Sequence, residues 1–195
     1  MSADGSLNFL PTFTPVDLPG DGFALRPWSR VGEPERRARE LSALADDPAI
    51  SLWNPLLVTT VLHAERWLNG RTAAWERGEV ASFALLDPDF DQLLGTVTTR
   101  WADRGDGLAM IGYWLVPAAR GRGLATRAVE TVTRWAFTTA DVRRIELAHA
   151  VGNTASCHVA TRTGYLLEGT LRQSHCFGDG NYHDEHLHAR LATDA

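Results

Sequence analysis

The stretch from Ile111 to Thr139 constrains this chain more than any other. The apolar run Ile111-Gly112-Tyr113-Trp114-Leu115-Val116-Pro117 passes through Ala118-Ala119 into Arg120-Gly121-Arg122-Gly123-Leu124-Ala125. A long amphipathic segment follows. Leu124, Ala128, Val132, Trp135 and Ala136 recur there at steps of three and four, which predicts a helix over 123–139 with one buried face. Arg144 to Ala150 then reads as another strand. A strand, a covering helix and a returning strand make a right-handed crossover, so the chain is expected to build a mixed sheet with helices on both faces.

The remaining elements fit that frame. Phe23 to Pro27 alternates apolar and polar residues and reads as a first strand. Helices are expected over 33–45 and 61–77, the second stopped by Gly78, with a loop carrying Trp53, Asn54 and Pro55 between them. Three strands, 80–86, 93–101 and 108–115, are separated by Asp87-Pro88-Asp89 and by the turn from Asp103 to Gly107, so an antiparallel meander joins them. A short helix over 153–163 is capped by Gly164, and 165–177 with 182–191 form a terminal hairpin around Gly178-Asp179-Gly180. The prediction is an α/β (mixed α+β) domain over 22–192 with about seven strands. Residues 1–21, with Pro11, Pro15, Pro19 and Gly20, read as an N-terminal arm that packs in part on the domain.

Bulk properties remove several classes. The chain has 195 residues, 44% of them hydrophobic and 22% charged, which suits a single globular domain. The net charge of -5, with no extended basic stripe, argues against nucleic acid as partner. Two cysteines, Cys157 and Cys176, do not make a disulfide framework, and the N-terminus has no signal-peptide pattern. No apolar run is long enough to cross a membrane. The expectation is a cytoplasmic protein with no membrane partner.

The turn from Arg120 to Ala125 carries the chemistry. The first N–H groups of a helix lack intrahelical partners and lie at the positive end of the macrodipole, so they suit phosphate. Gly121 and Gly123 let the backbone approach a bulky anion, while Arg120 and Arg122 add charge and forked donors. The turn is neither a P-loop, since no Gly-Lys-Ser/Thr follows, nor a dinucleotide fingerprint, since its strand comes from a meander.

With these residues in view, the chain resembles the GNAT superfamily of N-acetyltransferases. Arg120-x-x-Gly123-x-Ala125 matches that family's pyrophosphate loop, and Ile111 to Pro117 resembles its fourth strand. Asn153-x-x-Ser156-x-x-x-Ala160-x-x-x-Gly164-Tyr165 lies over its second signature. Within the family the chain is most similar to the ribosomal-protein N-terminal (alanine/serine) acetyltransferases, through the Trp53-Asn54-Pro55 loop and Gly169-Thr170-Leu171-Arg172. The resemblance implies a GNAT fold splayed between its fourth and fifth strands, holding acetyl-CoA or another short acyl-CoA and no metal. Leu115 and Val116 would pair with the pantetheine arm. Arg120, Gly121, Arg122, Gly123, Leu124, Ala125 and Thr126 would hold the pyrophosphate, and Asn153 the pantetheine end. Trp53, Asn54, Tyr113 and Arg172 would border the acceptor. A primary amine would attack the thioester directly. The acceptor is a protein N-terminus or, alternatively, a small molecule such as an amino sugar, polyamine or antibiotic. A non-catalytic acyl-CoA sensor is the reading from another class. A homodimer is consistent with family habit and the apolar terminal hairpin.

Two departures from the family pattern matter. A Tyr common in the second signature is replaced by Ala160, leaving Ser156 to donate to the departing sulfur. A Glu frequent on the fourth strand is replaced by Met110. Glu146 and His149 remain as base candidates, yet strand alternation puts them on opposite faces; a water-relayed base or an already neutral amine serves equally. Alternation also aligns Asp184, His186 and His188 as three ligand types on one face, but the family's last strand carries no metal. Arg100 or Arg172 could receive a carboxylated acyl chain such as succinyl.

Overall fold

The structure is a computed structural model that describes residues 10–54 and 58–194. Pro55 therefore lies outside the described residues, as do positions 1–9. Eight strands form one sheet in the order β1-β2-β3-β4-β5-β6-β8-β7. They are β1 Leu18–Gly20, β2 Phe23–Pro27, β3 Val80–Leu86, β4 Leu93–Asp103, β5 Leu108–Leu115, β6 Arg144–Ala150, β7 Leu166–Cys176 and β8 Tyr182–Leu191. β1 to β5 pair antiparallel, β5 and β6 are parallel, and β6, β8 and β7 are antiparallel again. The sheet is mixed because α4, Leu124–Thr139, carries the chain across between β5 and β6.

Two differences from the sequence reading have local causes. Leu18–Gly20, read as arm, pairs antiparallel with residues 23–25 of the next segment as an eighth strand, because Gly22 takes φ 72° and turns the chain back on itself. Upstream of it, Phe13 is 1% exposed and stacks on Trp101 at 4.4 Å between ring centroids. Trp53, read as loop, ends a short helix α2, Pro48–Trp53. Pro48 sits at its first position, and the Asp47 side chain accepts from Ile50 N at 2.8 Å.

Helices cover both faces. On one side α4 and α5, Thr154–Arg162, pack Leu124, Ala128, Val132, Trp135 and Ala160 against Phe83, Val97, Ile111 and Ile145 of the sheet. On the other, α1, Pro34–Ala43, α2 and α3, Val61–Glu76, pack Leu41, Ile50, Ala64 and Leu68 against Ala84, Leu86, Leu93 and Trp114. β3 is buried along nearly its whole length because both layers use it. Arg37 of α1 is 1% exposed and pairs there with Glu40 at 2.7 Å, with the Asp91 carboxylate, and with the Asp91 carbonyl at 2.6 Å. No described helix is long and apolar enough to cross a membrane.

Candidate active site

Pairing between β5 and β6 is confined to Leu108 with Arg144, Ala109 with Ile145 and Met110 with Glu146. β4 stays bonded to β5 as far as Gly95 with Leu115, and β8 stays bonded to β6 as far as Glu185 with Ala150. Each strand keeps its outer neighbour while the two part company, so the sheet opens like a V. The opening forms a cleft of about 990 Å³, reached by Tyr113 and Leu115 of β5, His149 of β6 and Ser156 of α5.

At one end lies the loop before α4. Gly121 and Gly123 have φ of 73° and 69°, a left-handed conformation that strains any residue with a Cβ. The first backbone bond of the helix runs from Arg127 N to Gly123 O at 3.2 Å. Among the described residues, no N–H from Gly121 to Thr126 donates to a turn or cap carbonyl, and no side chain caps the helix. A row of unpaired amides at a helix N-terminus fits the phosphates of an acyl-CoA. Gly121, Gly123, Leu124, Ala125 and Thr126 all line the cleft; Arg122 and Val116 do not.

Arg120 lines the cleft as well, but its guanidinium is already engaged. It donates to Asp47 Oδ1 at 2.6 Å and Oδ2 at 3.2 Å, and to the Leu115 carbonyl at 3.0 and 3.1 Å. This arginine therefore braces the loop against α2 and the end of β5 rather than presenting a free fork. The bond also holds the Asp47 carboxyl below its usual range.

In the body of the cleft, Tyr113 Oη and Ser156 Oγ lie 3.0 Å apart, bridging β5 and α5. The serine faces across the cleft instead of bonding back along its own helix. Burial raises the Tyr113 hydroxyl to about 12, so it keeps its proton at neutral pH. Asn153 also lines the cleft, and its Oδ1 caps α5 by accepting from Ser156 N at 3.1 Å, which fixes the serine.

The two base candidates from the sequence fare differently. Glu146 does not line the cleft. It accepts from Arg144 at 2.9 Å on the opposite face of β6, in a network with Glu168. His149 does line it, but its ring is 4% exposed, with Nδ1 at 2.8 Å from the Ala150 carbonyl and Nε2 at 3.3 Å from His188 Nε2. Burial pushes its pKa down. Trp53 and Asn54 border the cleft, Trp53 meeting Phe177 edge-on at 5.7 Å between centroids, whereas Arg172 lies outside it on β7.

Sequence reasoning missed His175 and Glu185, which line the cleft from β7 and β8. Between Leu171 and His175 the ladder slips, with Gln173 at φ 46° and its N–H given to Asp184 Oδ1 at 2.8 Å. A bulge re-aims the residues after it, so simple alternation could not have placed His175. Arg71 and Arg100 also line the cleft, and Arg71 lies over the Trp67 ring at 5.0 Å. Desolvation, then the neighbouring Arg100, lowers the Arg71 pKa, and no carboxylate offsets either.

Known proteins resemble this chain in sequence and in fold. The model of the acetyltransferase (GNAT) domain matches residues 24–166. The ribosomal-protein-serine acetyltransferase of Escherichia coli (strain K12) is 28% identical over 137 residues, spanning 70% of this chain and 75% of its own. Among solved structures, Mycobacterium smegmatis RimJ in complex with CoA-disulfide superposes with a TM-score of 0.82 at 24% identity, covering 93% of this chain and 90% of its own. RimL, a ribosomal L7/L12 alpha-N-protein acetyltransferase in complex with coenzyme A, gives 0.77 at 23% identity, covering 90% and 98%. With the domain model matching residues 24–166, most of its length, the chain belongs to the GNAT acetyltransferase family.

Proposed function

We propose that the protein transfers an acetyl or other short acyl group from acyl-CoA to a primary amine, with a protein N-terminus as the acceptor. The opened seam between β5 and β6 carries this reading, since it ends in free amides and contains a hydroxyl pair. The donor supplies an activated acyl carbon as a thioester. The amide row, steadied by the Arg120–Asp47 brace, would hold its phosphates, and the free edge of β5 from Ile111 to Trp114 its pantetheine arm. The Tyr113–Ser156 pair would give the departing thiolate its proton, and the amine's proton would pass to a base. His149 is turned toward His188, which leaves His175 and Glu185, both lining the cleft, as the candidates for that base. The N-terminal acceptor rests on the kinship with ribosomal-protein acetyltransferases, whose printed substrates are their own.

A second feature favours an anionic group on one substrate. Arg71 and Arg100 both line the cleft as like charges, and among the described residues neither has a carboxylate ion-pair partner. An acidic acceptor segment or a carboxylated acyl chain such as succinyl would relieve them. Calorimetric titration with acetyl-CoA, succinyl-CoA and free CoA tests the donor. A panel of N-terminal peptides, acidic and neutral, then tests the acceptor. Binding of no CoA species by the folded protein would sink the reading. Turnover of small amines in preference to every peptide would move the acceptor to the small-molecule class.

A further inference from the structure

On the helix-facing side of β6 and β8, His149, His186, His188 and Cys157 bring one ligand atom each within 4.8 Å of all the others. Asp184, which alternation aligned with the two β8 histidines, is not among them. It is exposed and accepts from Gln173 N, while β6 and α5 supply the other two members. The four come from three separate elements, with His149 and His188 buried at 4% and 3% exposure.

The hydrogen bonds fix how the rings are oriented. His149 Nδ1 lies 2.8 Å from the Ala150 carbonyl, and His188 Nδ1 lies 3.2 Å from the Tyr165 carbonyl. A carbonyl only accepts, so both Nδ1 atoms carry the proton. In neutral rings both Nε2 atoms then bear lone pairs, and these face each other at 3.3 Å with no donor between them. Two converging lone pairs in a buried place need a positive charge between them, a shared proton or a metal cation, and the two further donors nearby favour the metal. His186 adds a buried Nδ1 with no hydrogen-bond partner. Two nitrogens bound tetrahedrally to zinc at roughly 2.0–2.1 Å lie about 3.3 Å apart, which is the separation seen. A ring whose far N–H is given to a backbone carbonyl is the usual second support of a metal-bound histidine.

We propose that these four side chains form a closed, four-coordinate site for a zinc-like divalent cation. The imidazoles bind as neutral rings, and Cys157 binds as thiolate, its proton passing to solvent. Histidine and thiolate together select a borderline-soft metal such as zinc over magnesium or calcium. The ion would clip α5 to β6 and β8. Since Ser156 precedes Cys157, the clip would hold the hydroxyl pair in register. With four protein ligands the site is structural, and no step of acyl transfer is assigned to it.

The test uses the full chain, stripped of metal and titrated with Zn2+ against a chromophoric chelator, then with Co2+ as a spectroscopic probe. The expected result is one tight equivalent, with a thiolate-to-cobalt charge-transfer band that Cys157→Ser abolishes. His186→Gln should weaken zinc binding by roughly 100-fold or more, since even supporting residues around a metal are worth about 10–100-fold. Both positions are partly exposed, and circular dichroism of the apo variants checks that they fold. Zinc should raise the thermal midpoint of the wild type and not of the variants. Weak binding that is equal in all three proteins would put the metal on exposed histidines and overturn the proposal, as would no binding. Neither result touches the acyl-CoA reading, which is scored by CoA titration.

Discussion

Replacing Asp47 separates two roles for the arginine that begins the glycine loop. Asp47 accepts from Ile50 N at 2.8 Å and from Arg120 at 2.6 and 3.2 Å, and its side chain is 12% exposed against 37% for Arg120. Asp47→Ala loses both the cap of α2 and the ion pair. The cap is worth about 1 kcal/mol. A half-shielded pair adds about 1 kcal/mol after allowance for screening, for a total near 2 kcal/mol. Asp47→Asn keeps a capping oxygen and should lose only the second part. The sign of the pH effect follows from the folded carboxyl lying below its usual 3.8. The pair's contribution is complete above that value and disappears as pH falls through the folded pKa, so the gap between wild type and Asp47→Asn should close there.

Donor affinity then discriminates the roles. If Arg120 were a free phosphate ligand, removing a carboxylate beside the loop would release it and tighten CoA binding. If Arg120 is a brace, Asp47→Asn slackens the loop and weakens CoA binding by roughly 5-fold, the equivalent of about 1 kcal/mol. Denaturant unfolding at several pH values and calorimetry with CoA measure both quantities. Tighter CoA binding by Asp47→Asn, or strictly additive losses in the Asp47→Asn/Arg120→Ala cycle, would refute the brace.

Two further outcomes are expected. Ser156→Ala should leave donor affinity within about 2-fold while lowering turnover by roughly 10–100-fold, with a smaller loss for Tyr113→Phe; full turnover in Ser156→Ala removes the serine from the mechanism. Gly178→Ala would set a Cβ 1.7 Å from the Ser51 carbonyl oxygen, forcing the β7–β8 turn off α2. It should cost about 1–3 kcal/mol in unfolding experiments and raise the acceptor KM more than the donor Kd; an unchanged KM would show that this contact does not shape the acceptor end.

What the sequence made legible was whatever follows from local period and turn chemistry. The buried face of α4, the meander from β3 to β5, the glycine loop and the position of Ser156 could all be read directly. What escaped depends on contacts between distant residues. Arg120 reads as a phosphate ligand until Asp47, 73 residues away, is seen to hold it. Glu146 reads as a base until its pairing with Arg144 places it on the other face. His175 is hidden by a bulge, and the grouping of His149 and Cys157 with the β8 histidines appears only when three elements meet.

The short pairing between β5 and β6 has a consequence for solubility. A strand with unbonded N–H and C=O groups on its flank ordinarily invites another chain to pair with it. From Ile111 to Trp114 such a flank exists inside the domain, with β6 standing across the opening. A second sheet is too broad to enter a notch whose far wall is another strand, whereas a single extended chain of atoms is not. The protein can thus keep a line of unsatisfied backbone polar groups available to a slender ligand without offering it to aggregation.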